Sequence, residues 1–249
     1  MTHPIVALWT HPRSISTAFE RVMMEREDFN VLHEPFSYLY YVHKQGSAID
    51  QEYIDPDHPT KYPDIKEHIL SVGESQPVFF KDMCAHCYRE VVGDDDFLDR
   101  LVNTFLIRHP DKAIPSFYAM NEKVTLDEIG YEQLNNVFEK VVDLNDKPPV
   151  VVDATDLEED PEGIVKAYCD AIDIEFIPEA LSWDSGHQKE WDIWEQWHTD
   201  AAKSCGIQKN MEKFEVTVEN SDHLKSYYEY HMPFYEELYA HRIQSVGSS

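Results

Sequence analysis

Positive charge is scarce in this chain. Its 249 residues hold 21 Lys and Arg against 48 Asp and Glu, a formal net charge of −27. Such a surface repels a phosphate backbone over most of its area, which argues against general nucleic-acid binding. Other anions are repelled too, so a site for a phosphorylated ligand has to be a local island of positive charge. Cysteine is sparse as well. Cys84, Cys87, Cys169 and Cys205 form no disulfide framework, as expected in a reducing compartment. Cys84-Ala85-His86-Cys87 has the spacing of half a zinc site, but no second cysteine pair completes it, so it reads as a buried helix start. No apolar run is long enough to span a bilayer, and the N-terminus lacks a basic-then-apolar leader pattern. A cytoplasmic protein with no membrane partner is the expectation. Internal repeats and low-complexity segments are also missing.

What is there suits a globular protein. Hydrophobic residues make up 42% of the chain and charged residues 28%, and the length suits one α/β domain over 1–249. The organising stretch is 5–26. Ile5-Val6-Ala7-Leu8-Trp9 has the composition of a buried parallel strand. The polar turn Thr10-His11-Pro12-Arg13-Ser14-Ile15-Ser16-Thr17 follows, and then an amphipathic helix with Phe19, Val22 and Met23 on its apolar side. Strand, turn and helix in this order aim unpaired backbone N–H groups at whatever lies above the strand end. Arg13 adds a fixed positive charge, and Ser14, Ser16 and Thr17 add hydroxyl donors. The chemistry is that of a phosphate or sulfate cradle. It is not a Walker A loop, since the Gly-x-x-x-x-Gly-Lys-Ser/Thr pattern is absent.

Strands and helices then alternate. Residues 29–32 read as a strand ending in His33-Glu34-Pro35, and the aromatic segment 36–42 reads as helical. From 45 to 66, closely spaced Pro56, Pro59 and Pro63 mark a long surface excursion of the kind that covers a site. Further strands are expected at 77–80, with Lys81-Asp82-Met83 at its end, at 103–107 and at 148–156. Asp94-Asp95-Asp96 caps a helix, another helix carries Ile114, Phe117 and Tyr118, one spans 128–142, and one begins at Pro161. Trp183, Trp191, Trp194 and Trp197 form a packing layer in a more irregular, helical C-terminal part. The alternation predicts a parallel sheet flanked by helices, and ligands on such sheets bind outside the carboxyl ends of the strands.

That rule gathers separate strand ends into one site. The first offers Arg13 and its hydroxyls, the second His33 and Glu34, the third Lys81, and the fourth Arg108 with Ser116. Pro110 turns the chain after Arg108, and a helix can return Ser116 towards the same anion. Two anion subsites with a carboxylate between them suggest a ligand phosphorylated at two places.

These residues resemble the sulfotransferase family that uses 3'-phosphoadenosine 5'-phosphosulfate (PAPS), and its bacterial-type branch in particular. The likeness lies in the 10–17 turn, in Arg108-x-Pro110 with Ser116, and in His33-Glu34-Pro35. It covers about the first 160 residues. It implies a P-loop NTPase-like sulfotransferase fold, with His11, Pro12, Arg13, Ser14, Ile15, Ser16 and Thr17 around the 5'-phosphosulfate. Arg108 and Ser116 would then hold the 3'-phosphate. Ile15 stands where many members have Gly. Lys81-Asp82-Met83 stands where the animal cytosolic enzymes have Lys-Thr-His, which shifts the expected base to Glu34.

The mechanism implied is in-line transfer of a sulfuryl group to a hydroxyl or amine of a small-molecule acceptor, leaving 3',5'-ADP. Glu34 would be the general base, with His33 either the base instead or the group that orients Glu34. Arg13 and Lys81 would stabilise developing charge. Phe36, Tyr38 and Tyr40 would wall the acceptor, Asp82 and His86 would be structural, and no metal is called for. A nucleotide kinase or NTPase on the same fold, and a silent nucleotide-binding module, are the alternatives.

Overall fold

Five short apolar runs become the five strands of one parallel sheet. The computed structural model describes residues 3–44, 54–145, 147–186, 188, 191, 203–209 and 213–245. The strands are β1 (Ile5–Thr10), β2 (Asn30–His33), β3 (Val78–Met83), β4 (Val102–Ile107) and β5 (Val150–Asp153). Their order across the sheet is β2-β3-β1-β4-β5. β1 is central, with Val6 in register with Phe79 on one side and Val102 on the other. His33 at the end of β2 lies in register with Lys81 of β3, and Ile107 of β4 with Asp153 of β5. The carboxyl ends predicted to form a site therefore share one sheet edge.

Both faces of the sheet are covered, which is why its central strand is buried throughout and apolar from Ile5 to Trp9 rather than alternating. Val6, Leu8, Phe79, Leu106 and Val152 pack on one face with Phe19, Val22 and Met23 of α1 (Ser16–Glu25). Ile164, Val165 and Tyr168 of the helix Pro161–Ala171 complete that layer. On the opposite face Ile5, Ala7, Trp9, Phe80 and Phe105 pack against helices that include α2 (Tyr62–Ser75) and α3 (Cys84–Val91). The helix Asp222–Ala240 adds Leu224, Tyr235 and Leu238 there, as the expected helical C-terminal segment.

Several local expectations change. The aromatic segment is a π-helix, Tyr38–Lys44. Phe36 precedes it and is fully buried, stacked on Trp9 and Tyr62 and edge-on to Phe80. It is therefore part of the core and does not wall an acceptor. The strand expected over 148–156 stops at Asp153, because that carboxylate accepts from the N–H groups of Thr155 and Asp156 and starts a helix, Ala154–Glu159. The helix expected over 128–142 is two, Leu126–Ile129 and Tyr131–Leu144, split at Gly130 with φ 88°. Only a residue tolerant of the left-handed region suits that join. Asp94 does cap the helix Asp95–Asp99. Of the surface excursion, 45–53 lie outside the described residues and 62–66 belong to α2. Trp183 and Trp191 are buried, while Trp194 and Trp197 lie outside the described residues.

Candidate active site

The turn after β1 is built on two residues in the left-handed region, Arg13 (φ 65°) and Ile15 (φ 62°). A non-glycine residue there costs about 1–2 kcal/mol, so this is where local propensity has been overridden. Ile15 is partly compensated, because its side chain packs against the α1 side of the core. It is also the N-cap position of α1 and brings no side-chain cap. The first turn of α1 therefore receives no capping oxygen from the side chain of Ile15, which suits an anion there.

A second loop, running from β4 into α4 (Pro110–Met120), is bonded onto the first. Arg13 Nε donates to Ser116 Oγ at 2.9 Å. Arg108 Nη1 donates to the Arg13 carbonyl at 3.1 Å, and the Arg108 backbone N–H donates to His11 Nε2 at 3.0 Å. Since Nε2 accepts, Nδ1 carries the hydrogen and donates to the Pro12 carbonyl at 2.9 Å. Burial, aided by the positive charge of Arg108, depresses His11 to about 3, so the ring is neutral. Stacked on Tyr131 with ring centroids 3.9 Å apart, His11 braces the loop. Both its nitrogens are engaged by backbone, so it is placed as a strut rather than as a phosphate donor. Pro12 packs beside Gly130, where an added Cβ would lie 3.4 Å from Pro12 Cδ. The Tyr131 hydroxyl donates to the Arg108 carbonyl.

Among the described residues, two polar atoms in this assembly have no partner although both are buried: Ser14 Oγ and Arg108 Nε. Buried polar atoms are rarely left so. Both belong to residues expected at an anion, and a phosphate or sulfate would satisfy them. Arg108 Nη2 also lies 3.7 Å from Glu158. Beyond Arg108 opens a cavity of about 370 Å³ lined by Asp111, Lys112, Pro115, Lys213, Phe214 and Thr217. Ser16 and Thr17 open α1, with Ser16 buried.

The second half of the site lies at the ends of β2 and β3. Lys81 lies within β3 rather than past its end, fully buried, with its ammonium on Glu34 Oε1 and 3.3 Å from Thr17 Oγ1. Burial alone would push Lys81 down, but Glu34, Glu20 and Asp82 together outweigh it and hold the ammonium above the usual lysine range. Glu34 turns the chain with φ 42°, fixed by its N–H donating to the Lys81 carbonyl at 3.0 Å and by Ser37 donating to its own carbonyl. His33 Nε2 stands 4.0 Å from Glu34 Oε1. The His33 and Glu34 side chains are 3% and 4% exposed, so bulk water, a competing acceptor, is kept away from them.

Asp82 accepts from Phe36 N–H, Met83 N–H and His86 Nδ1, which makes it and His86 structural as expected. Of the expected aromatic wall, Tyr38 is buried, accepts from the Asp55 N–H and stacks on His58 at 3.7 Å, while Tyr40 is partly exposed beside His86. Cys84 and Cys87 open α3, buried, with burial pushing both thiols up. Sequence reasoning missed Glu20 and the polar contacts of Trp191, both near His33, because only the packing of α1 beside β2 reveals them. Lys112 and Lys213 at the cavity were missed too.

A parallel sheet of this order, with a polar turn and helix after its central strand and a cation–carboxylate pair at the neighbouring strand ends, is a P-loop-like α/β fold. A family profile described as "Sulfotransferase domain" matches residues 4–242, and the chain belongs to that family. Its fold resembles the sulfotransferase domain of the Synechococcus PCC 7002 olefin synthase. That match has a TM-score of 0.53 at 15% identity, covering 92% of this chain and 95% of that one. A sulfotransferase from Alicyclobacillus acidocaldarius gives a TM-score of 0.54 at 10% identity, with 98% of each chain covered. In sequence the chain is 27% identical over 210 residues to branched-chain-amino-acid aminotransferase-like protein 2 of Arabidopsis thaliana, covering 82% of this chain and 36% of that protein. The like-named protein 1 is 26% identical over 199 residues, covering 78% of this chain and 34% of that protein. The chain thus spans about a third of the length of these curated relatives. No described helix is long and apolar enough to cross a membrane.

Proposed function

We propose that this sulfotransferase-family chain takes its sulfuryl group from PAPS and moves it to a hydroxyl or amine of a small-molecule acceptor in the cytoplasm. The observation that carries the reading is the welding of the β1 and β4 loops through Arg13, Ser116 and Arg108. Within that weld Ser14 Oγ and Arg108 Nε are buried without partners among the described residues. Two anion subsites a short reach apart suit a nucleotide phosphorylated at two positions and are more than a single phosphate needs.

When bound, PAPS supplies a sulfuryl group on a phosphate leaving group. The chain's residues divide the remaining work. Ser14, Ser16, Thr17 and the N-terminus of α1 receive the 5' end, with Arg13 beside them. Arg108 and Ser116 receive the 3'-phosphate, and the cavity beyond Arg108 has room for the nucleoside. Lys81, held between Thr17 and Glu34, places positive charge where negative charge develops during transfer. The end of β2 provides the proton acceptor, and the closed surroundings keep water from competing.

Thermal shift tests the donor. At about a hundred times its Kd, 3',5'-ADP should stabilise the protein by about 2.7 kcal/mol, while ATP with Mg²⁺ gives much less. Equal stabilisation by the two would remove the reading and favour a kinase or NTPase. Binding of 3',5'-ADP without turnover of PAPS on a broad acceptor panel would leave a silent nucleotide-binding module.

A further inference from the structure

Glu20 is among the most deeply buried acidic residues in the protein. It lies in α1, fully buried, and its Oε2 takes the Nδ1 of His33 at 2.8 Å and the indole N–H of Trp191 at 3.3 Å. Its Oε1 is buried and has no partner among the described residues. Glu20 Oε2 accepts there, so Nδ1 of His33 carries a hydrogen and the other ring nitrogen is Nε2. That nitrogen is turned towards Glu34, 4.0 Å away, on the side where Lys81 bridges to Thr17 of the cradle helix. Glu34 itself is bound to the Lys81 ammonium, and a carboxylate in contact with a buried cation is a weaker proton acceptor.

We propose that Glu20 is a positioning residue that fixes His33 with its Nε2 lone pair towards the transfer site, making His33 the proton acceptor and Glu34 the counter-ion of Lys81. The proposal rests on the sulfotransferase reading above and names its base. In the step, the acceptor's heteroatom forms a bond to sulfur as its O–H or N–H bond breaks, and that proton passes to His33 Nε2. The bond from sulfur to the donor's bridging phosphate oxygen breaks, and its electron pair leaves on the phosphate. The imidazolium so formed stands against Glu20, whose Oε1 has no partner among the described residues. His33 returns its proton to solvent once products leave.

The first experiment needs no variant and no substrate. Nitrogen-15 NMR of the imidazole rings in the wild-type protein should find His33 neutral with hydrogen on Nδ1, and a hydrogen on Nε2 of the neutral ring would overturn the proposal. The second compares variants by 3',5'-ADP formation from PAPS with a mixed panel of alcohols, phenols and amines. Glu20→Gln should lower kcat by about 10²-fold, the scale of a general base, with 3',5'-ADP affinity unchanged. Glu20→Asp, which keeps the charge, should recover part of the loss, and His33→Asn should lose more than Glu34→Gln. Near-normal turnover in Glu20→Gln, or a greater loss in Glu34→Gln than in His33→Asn, would sink the assignment. Absence of 3',5'-ADP binding in the wild type would instead count against the donor reading, and the ring tautomer would still decide whether Glu20 positions His33.

Discussion

Arg13 and Ser116, 103 positions apart in the chain, meet with Nε donating to Oγ at 2.9 Å. The serine hydroxyl thereby orients the guanidinium while keeping its own hydrogen for an anion. Ser116→Ala is expected to weaken 3',5'-ADP binding by about 1–2 kcal/mol. Arg13→Ala combined with it should depart from additivity by about 0.5–3 kcal/mol, as for neighbours sharing one contact. Titration calorimetry on the four proteins of the cycle measures this, and strictly additive losses would mean the two residues act separately.

Arg108 is expected to read the 3'-phosphate. Arg108→Ala should therefore cost about 1.5–3 kcal/mol of 3',5'-ADP affinity, the worth of a hydrogen bond to a charged group, and leave AMP affinity nearly unchanged. Equal losses for both nucleotides would assign Arg108 to the fold or to the other phosphate. The bond from its guanidinium to the Arg13 carbonyl makes that comparison necessary.

Lys81 and Glu34 form a buried pair, and removing one partner strands the other. Lys81→Met leaves Glu34 as well as nearby Glu20 and Asp82 without their cation, and should destabilise the protein by about 3–5 kcal/mol in urea denaturation. Lys81→Met with Glu34→Gln should recover a large part of that loss. If the double variant is no more stable than the single one, the pair is not the source of the cost.

Acid should reveal the His11 strut. Its folded value of about 3 lies below the ordinary 6.5, so below pH 6.5 the unfolded chain takes up a proton that the folded protein refuses. Stability is complete above that pH and falls as pH drops towards 3, by about 1.4 kcal/mol per pH unit for this group. His231, lowered to about 4 by burial, adds in the same direction. Asp153 and Asp82, raised by burial, act in the opposite sense and His58, lowered by burial, in the same one, so the test is the difference between wild type and variant from pH 6.5 to 5. Across that window His11→Gln should show a shallower decline than wild type, and an unchanged slope would contradict a neutral, buried His11.

The strands and the strand–turn–helix at 5–25 were legible because their signals are local: apolar runs, a polar turn, then a helical period. Lys81, Arg108 and Ser116 followed from the rule about carboxyl ends. The role of Asp153 was hidden because a strand-ending aspartate and a helix cap look alike until the helix is seen. Phe36 looked available because an aromatic after a strand carries no mark of which layer it enters. The nearness of Glu20 to His33 was not readable at all: 13 positions apart, they meet only through the packing of α1 beside β2. Ile15 marks the opposite case, a residue whose propensity opposes its backbone and whose side chain is held by the core beneath it.

The strand order has an evolutionary corollary. The loops read here as holding the donor follow β1 and β4, adjacent strands in the interior of the sheet, whereas His33 and Glu34 close β2, an edge strand of four residues. A lineage could therefore remodel that margin to admit new acceptors while inheriting the donor grip unaltered. The same layout gives protein engineers a seam along which to exchange one half of the reaction without reopening the other.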